Sequence, residues 1–303
     1  MNRVMSIMAV WLLAACAPQY LPAGDAGTDP YWDRDELVMR DGKRLPVSVW
    51  QAEGTPDAVL IALHSFGDFR LAFEDIGPAL ALRGYTVVAF DQRGFGDTSP
   101  QGRWSGRETM TGDLRDAVQI IRGRFGDLPV YVMGESMGGG VALAAAGSGM
   151  LPDVDGLILA APAVREDVTF RYCYNAFLWT AAHILPEVTV HNDRGNALHT
   201  DQAYRRLSSD PRIVRDVRID TYWGLIRLTD MASDLAPQVR LPVLLMHGGQ
   251  DRVVARKSIR ALAGHLGDLA AIKYWDEAPH ELLHWRNQDA VLERIADWLG
   301  QQR

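Results

Sequence analysis

The chain has 303 residues, a formal net charge of −7 and 48% hydrophobic residues, which suits one large α/β domain with an insertion better than a string of small modules. Such a length buries a sizeable core without disulfides or a structural metal. Mild acidity, with Arg and Lys interleaved among Asp and Glu, argues against nucleic acid as a partner, because a phosphate binder needs a concentrated basic patch.

The first segment of the chain does not read as fold. A short basic start at residues 1–3 precedes an apolar run over 4–13, too short for a permanent span of about 20 residues. With the small residues that follow, it fits a secretory signal over residues 1–15. Leu13-Ala14-Ala15-Cys16 resembles the lipobox of bacterial lipoproteins. That resemblance implies cleavage before Cys16, lipidation of its thiol, and an exported, membrane-anchored protein of the bacterial cell envelope. Each buried CH₂ of an acyl chain adds about 0.8 kcal/mol to such anchoring. Residues 16–33, rich in Pro, Gly, Asp and Ala, read as anchor and tether. Cys173 then has no intrachain partner and, lacking a His at ligand spacing, is expected to be a small buried hydrophobe.

From about Glu36, strand and helix signals alternate. Residues 45–50 and 58–64 read as strands, 71–83 as a helix ending at Gly84, 85–91 as a strand and 108–124 as a helix. Next come strand 129–134, a helix over 137–146 that is small and apolar on all faces, and strand 156–161. The rhythm stops over 162–237 and resumes with strand 242–247, helix 255–266, strand 271–275 and helix 290–299. Apolar strands separated by helices call for a mostly parallel sheet covered on both faces. The expected architecture is α/β, with a core of residues 34–161 and 238–303 and a helical cap inserted over 162–237. In the cap, Phe170, Tyr174, Phe177, Leu178, Ala181 and Leu185 recur at helical spacing with Trp179 beside them. Such a face either covers an acyl-chain site or packs on the sheet domain. Phe170, Phe177 and Leu178 are the candidate substrate contacts.

Three stretches carry chemistry. Gly134-Glu135-Ser136-Met137-Gly138 matches Gly-x-Ser-x-Gly between a predicted strand and a predicted helix. There a hydroxyl is lifted on a sharp turn, and the glycines are needed because a Cβ would clash. The helix starting at Met137 aims its first amides at a developing oxyanion. Serine is a poor nucleophile unless a base, oriented by a third group, takes its proton. Asp251 follows a buried strand in a Gly-rich loop, at the carboxyl edge where ligands meet such sheets. His280 lies on the loop after the next strand, completing the order Ser, acid, His. His284 is the competing base, and His247, ending its strand, reads as packing. The other histidines suggest no metal site, and no cofactor is implied.

These stretches, with Leu63-His64-Ser65-Phe66-Gly67, Asp91-Gln92-Arg93-Gly94-Phe95-Gly96-Asp97-Thr98-Ser99 and His280-Glu281-Leu282-Leu283, resemble the monoacylglycerol-lipase and lysophospholipase-like α/β-hydrolases of the serine aminopeptidase S33 type. The resemblance implies an oxyanion hole from the backbone N–H groups of Phe66 and Met137. It implies that Asp91 and Arg93 hold loops together, and that a small-molecule or lipid ester is hydrolysed through an acyl-enzyme. Serine at the elbow, where epoxide hydrolases and dehalogenases of this fold carry Asp, points to acyl transfer to water. Members usually carry Gly where this chain has Ser65. At a position needing φ > 0 a serine would be strained by about 1–3 kcal/mol, or it could add a hydroxyl donor. Two other readings stand beside this one: an aminopeptidase with an acidic recess from Glu135, Glu166 and Asp167, and a non-catalytic binding protein marked by a broken triad.

Overall fold

The structure, a computed structural model, describes residues 17–165, 168–193 and 196–302, without the side chains of 168–170. The signal segment, Cys16, Glu166, Asp167 and the Phe170 side chain therefore lie outside the described residues.

Alternation along the apolar strands builds two cores. In β4 (Ala58–Leu63), Val59, Ile61 and Leu63 join one buried cluster and Ala58, Leu60 and Ala62 the other, as the two-residue period of a strand requires. Strand β5 (Tyr85–Phe90) divides in the same way, and β6 (Val130–Glu135), β7 (Gly156–Ala160) and β10 (Val243–Gly248) are buried throughout. With β11 (Ala270–Trp275), these strands pair in parallel in the order β5-β4-β6-β7-β10-β11. An antiparallel edge of β3 (Arg44–Trp50), β2 (Glu36–Val38) and β1 (Tyr31–Asp33) continues the sheet beyond β5. Tyr31–Asp33, expected in the tether, are thus already sheet.

Helices cover both faces. Buried residues of α2 (Arg107–Phe125), α3 (Met137–Gly147) and α7 (Arg256–Leu266) enter one cluster. Those of α1 (Ile76–Ala81) and α8 (Gln288–Gln301) enter the other. The helix expected over 71–83 is split into a 3-10 turn at Arg70–Phe73 and the short α1. Pro78 accounts for this: its ring excludes the carbonyl of Glu74 from a continuous helix, so a fresh helix must start just before it.

Between β7 and β10 lie α4 (Val168–Ile184), β8 (Thr189–His191), α5 (Asp201–Ser209), β9 (Asp216–Arg218) and α6 (Ile219–Leu235). Parallel neighbours need a crossover, and α6 supplies it by packing along α3. Gly147 of α3 fits so tightly there that a Cβ would come within 2.4 Å of the Leu235 carbonyl oxygen. Helix α4 packs in turn on α6, burying Leu178 and Ala182 against Trp223. Cys173 is exposed on the other side of α4, contrary to the expected burial. The helical period sets which residues share a face, but not which face meets a neighbour. Part of the expected tether also docks here: Gln19 N–H donates to Asp220 Oδ2 at 3.1 Å, and Tyr20 packs beside Leu178 and Trp223.

Candidate active site

Strand β6 stops at Glu135, and the chain turns sharply into α3 through Ser136, whose φ of 49° and ψ of −112° lie where non-glycine residues rarely go. The turn is held by backbone: Ser136 N–H donates to the Ala160 carbonyl at 2.9 Å, and the Ser136 carbonyl accepts from Ala163 and Gly140 N–H at 2.8 and 3.0 Å. The tightness explains the glycines. A Cβ on Gly138 would lie 2.1 Å from the Leu63 carbonyl oxygen, and one on Gly134 would lie 2.5 Å from Gly138 itself.

Three distant loops meet at this turn. The Ser136 hydroxyl donates to His280 Nε2 at 2.8 Å, and His280 Nδ1–H donates to Asp251 Oδ2 at 2.7 Å. Of the two histidines, His280 is the one bonded to Ser136, and His284 lies instead in a buried cluster with Asp68 and Glu135. Asp251 also caps its own turn, since its Oδ1 accepts Val253 and Val254 N–H at 2.7 and 2.9 Å. Burial alone would raise its pKa, but hydrogen bonds from His247 and His280 and the His280 charge hold it far below the usual carboxylate range. Burial opposes protonation of His280, yet the hydrogen bond and charge of Asp251 prevail and raise its pKa above the ordinary histidine value.

His247 does more than pack. Its Nε2 lies 3.0 Å from the Val254 carbonyl and 3.2 Å from Asp251 Oδ2, while its buried Nδ1 has no partner. That pattern places the proton on Nε2, shared between carbonyl and carboxylate, so a second imidazole steadies the same oxygen that His280 uses. The four-residue spacing of His247 and Asp251 was the sequence signal for it.

Met137 opens α3, where the first amides have no partner within the helix, and Phe66 sits in the loop after β4 with its ring 5.5 Å from that of Phe95. Ser65 is not at a position that needs φ > 0: the left-handed residue of this loop is Gly67, with φ 77°. The Ser65 hydroxyl is directed at Glu135 Oε2, 3.2 Å away. His64 sets the loop's course, with Nδ1–H donating to the Ser65 carbonyl at 2.9 Å and Nε2 accepting Gln92 N–H at 3.0 Å. Asp91 accepts Arg70 and Asp97 N–H, and Arg93 pairs with Asp41 and Asp113, so both tie loops together.

The candidate substrate contacts fare differently. Leu178 is 7% exposed and spent on packing against α6, whereas Phe177 is 68% exposed and faces outward. A groove of about 540 Å³ lies between α4 and α6, lined by Tyr172, Asn175, Ala176, Trp179, Trp223 and Arg227. The acidic recess is not formed by Glu135, whose carboxylate is occupied by Ser65 and by Leu283 N–H.

The chain resembles proteins of known activity along most of its length. It is 25% identical over 283 residues to a monoglyceride lipase of Rattus norvegicus, covering 89% of this chain and 91% of that one. With a monoacylglycerol lipase of Mycolicibacterium smegmatis it shares 24% identity over 268 residues, covering 85% and 93%. The structure of a soluble variant of Saccharomyces cerevisiae monoglyceride lipase superposes with a TM-score of 0.73 at 19% identity, covering 94% of this chain and 98% of that one. Residues 54–286 match Hydrolase_4, described as serine aminopeptidase, S33. By that match, with a sheet of this order and a serine on a strained elbow beside His280, the chain belongs to the Hydrolase_4 (serine aminopeptidase, S33) family of the α/β-hydrolase fold.

Proposed function

We propose that this serine hydrolase cleaves monoacylglycerol- or lysophospholipid-type carboxylic esters at a membrane surface, through an acyl-enzyme on Ser136. The observation that carries the chemistry is the unbroken relay of 2.8 and 2.7 Å from Ser136 through His280 to Asp251. His280 Nε2 takes the Ser136 proton as Oγ attacks the ester carbonyl. The amides of Phe66 and Met137 hold the oxyanion. Collapse expels the alcohol, which leaves with the proton from His280. Water then gives a proton to His280 as it attacks the acyl group, and the second adduct collapses by breaking its bond to Ser136 Oγ, which takes the proton back from His280 as the acid departs. An intact relay argues against a non-catalytic binding role, and an engaged Glu135 argues against recognition of a substrate amine.

The lipid character of the substrate is supported by the relatives and by the cap. The exposed described residues of α4 include Tyr172, Phe177, Trp179 and Ile184 and no Asp, Glu, Lys or Arg. A helix with its uncharged, aromatic side outward suits the boundary of a bilayer. Leu185, Val188 and Val190 extend that surface, next to Asp220, which accepts Gln19 N–H. Cys16 is our proposed lipid acceptor, which would hold this face against the membrane of the cell envelope. The expected result is co-sedimentation of the unlipidated domain with phospholipid vesicles, weakened at least about tenfold in F177S/W179S/I184S, and loss of membrane fractionation in C16S. Equal vesicle binding by the triple variant would remove the cap from this role.

Among substrates, long-chain monoacylglycerols presented in micelles should be hydrolysed and aminoacyl-anilides left intact. Turnover of anilides, or of short water-soluble esters alone, would sink the lipid reading.

A further inference from the structure

The residue before the nucleophile has no part in the mechanism above, yet Glu135 is 1% exposed at the end of β6 and its carboxylate joins two loops. Oε2 accepts the Ser65 hydroxyl at 3.2 Å, and Oε1 accepts Leu283 N–H at 2.9 Å. The loop carrying Phe66 and the loop carrying His280 are thereby fastened to the strand end that adjoins Ser136. Behind it, His284 Nε2 lies 3.5 Å from Glu135 Oε2 and 3.6 Å from Asp68 Oδ2. Asp68 is ion-paired with Arg206 of α5, in the cap, and also accepts Phe69 N–H at 2.8 Å.

Glu135, Asp68, His284 and Arg206 are all buried. Their charges balance when His284 is protonated. Burial opposes that state, but Glu135 and then Asp68 outweigh it and raise the His284 pKa. Apolar side chains of similar volume would fill such a space without the desolvation cost of four ionisable groups. Stability alone is therefore a poor account of this cluster, whereas fixed geometry at the reacting atoms is a good one, because small misplacements there are expensive.

We propose that Glu135 is a positioning residue for the hydrolysis: it locks the loop of Ser65 and Phe66 and the loop of His280 to the nucleophile's strand, and through His284 and Asp68 it couples both loops to Arg206 of the cap. The proposal rests on the hydrolase reading above. Glu135 touches no reacting atom, so its effect is on the aim of the oxyanion donors and the base.

The test measures turnover of p-nitrophenyl butyrate per fluorophosphonate-reactive Ser136, so that misfolded protein is not counted. In Glu135→Gln, which keeps the shape but not the charge, kcat is expected to fall about 10- to 100-fold with KM changed less than about twofold. Affinity for a trifluoromethyl ketone, which mimics the tetrahedral adduct, should weaken by the same factor. Ser65→Ala should lower kcat about three- to tenfold, and the double variant should be no worse than Glu135→Gln, since both act on the Ser65–Glu135 bond. A purely structural role would lower Tm, leave kcat per labelled serine intact, and give additive effects. A kcat within about twofold of wild type in Glu135→Gln, or a silent Ser65→Ala, overturns the proposal. If Glu135→Gln does not accumulate folded, Ser65→Ala decides alone. Wild-type protein that takes no label would overturn the hydrolase reading and this one with it, whereas labelled wild type beside unaffected variants overturns only the positioning role.

Discussion

Ser136→Ala is expected to lower kcat by about six orders of magnitude while leaving the fold in place. The hydroxyl is bonded to His280 and makes no cap to α3, so its loss removes the nucleophile and little else. Alanine is no worse than serine at the strained φ of 49°, and the backbone bonds to Ala160, Ala163 and Gly140 do not involve the side chain. Fluorophosphonate labelling followed by peptide mapping checks this directly, with Tm as the control. Label retained on another residue, together with ester turnover above about 1% of wild type, would mean that a different nucleophile does the chemistry.

Asp251→Asn should cost about four orders of magnitude in kcat. An amide in place of the carboxylate offers N–H to His280 Nδ1, or at best a neutral oxygen, in a site where Oδ1 is already claimed by Val253 and Val254 N–H. The ring then tends to carry its proton on Nε2, facing Ser136 with a donor when an acceptor is needed. The pH dependence should change with it. The base must be neutral to act, and Asp251 raises the His280 pKa above 6.5, so wild-type kcat/KM falls as pH drops through a value above the ordinary histidine pKa. Without the carboxylate charge that acid limb moves to lower pH. A limb that stays in place in Asp251→Asn would show that another group controls it.

The triad was legible because each member stands in a local pattern that announces its place: a Gly-x-Ser-x-Gly between strand and helix, and two loops that follow buried strands at one edge of the sheet. The network behind it was not. Ser65 and Glu135 are 70 residues apart, and Glu135 and Leu283 are 148 apart, so no local window contains both ends of either bond. The ease with which the loop accepts Ser65 is equally hidden, because the sequence does not say that the left-handed conformation belongs to Gly67. The same limit governs α4. Apolar residues lie around most of its circumference, and only the docking of α6 decides that Leu178 is covered while Phe177 and Cys173 face outward. At Tyr31–Asp33 a strand only three residues long, directly after a Pro- and Gly-rich stretch, shows no alternation of its own, and its partner is the strand just after it.

Helix α6 divides the inserted chain into parts with different freedom to vary. It is the obligatory bridge between two neighbouring parallel strands and leans on the helix that begins just after Ser136, so altering its packing would disturb the elbow itself. The excursion from residue 162 to 218 begins and ends outside that bridge, and lengthening such a stretch twofold costs only about 0.6 kcal/mol in closure entropy. The chain of α4, β8 and β9 can therefore be altered with little penalty to the scaffold. Arg206 is the exception: it sits in the variable stretch but is paired to the catalytic edge through Asp68, so any remodelling of the excursion must supply that cation again.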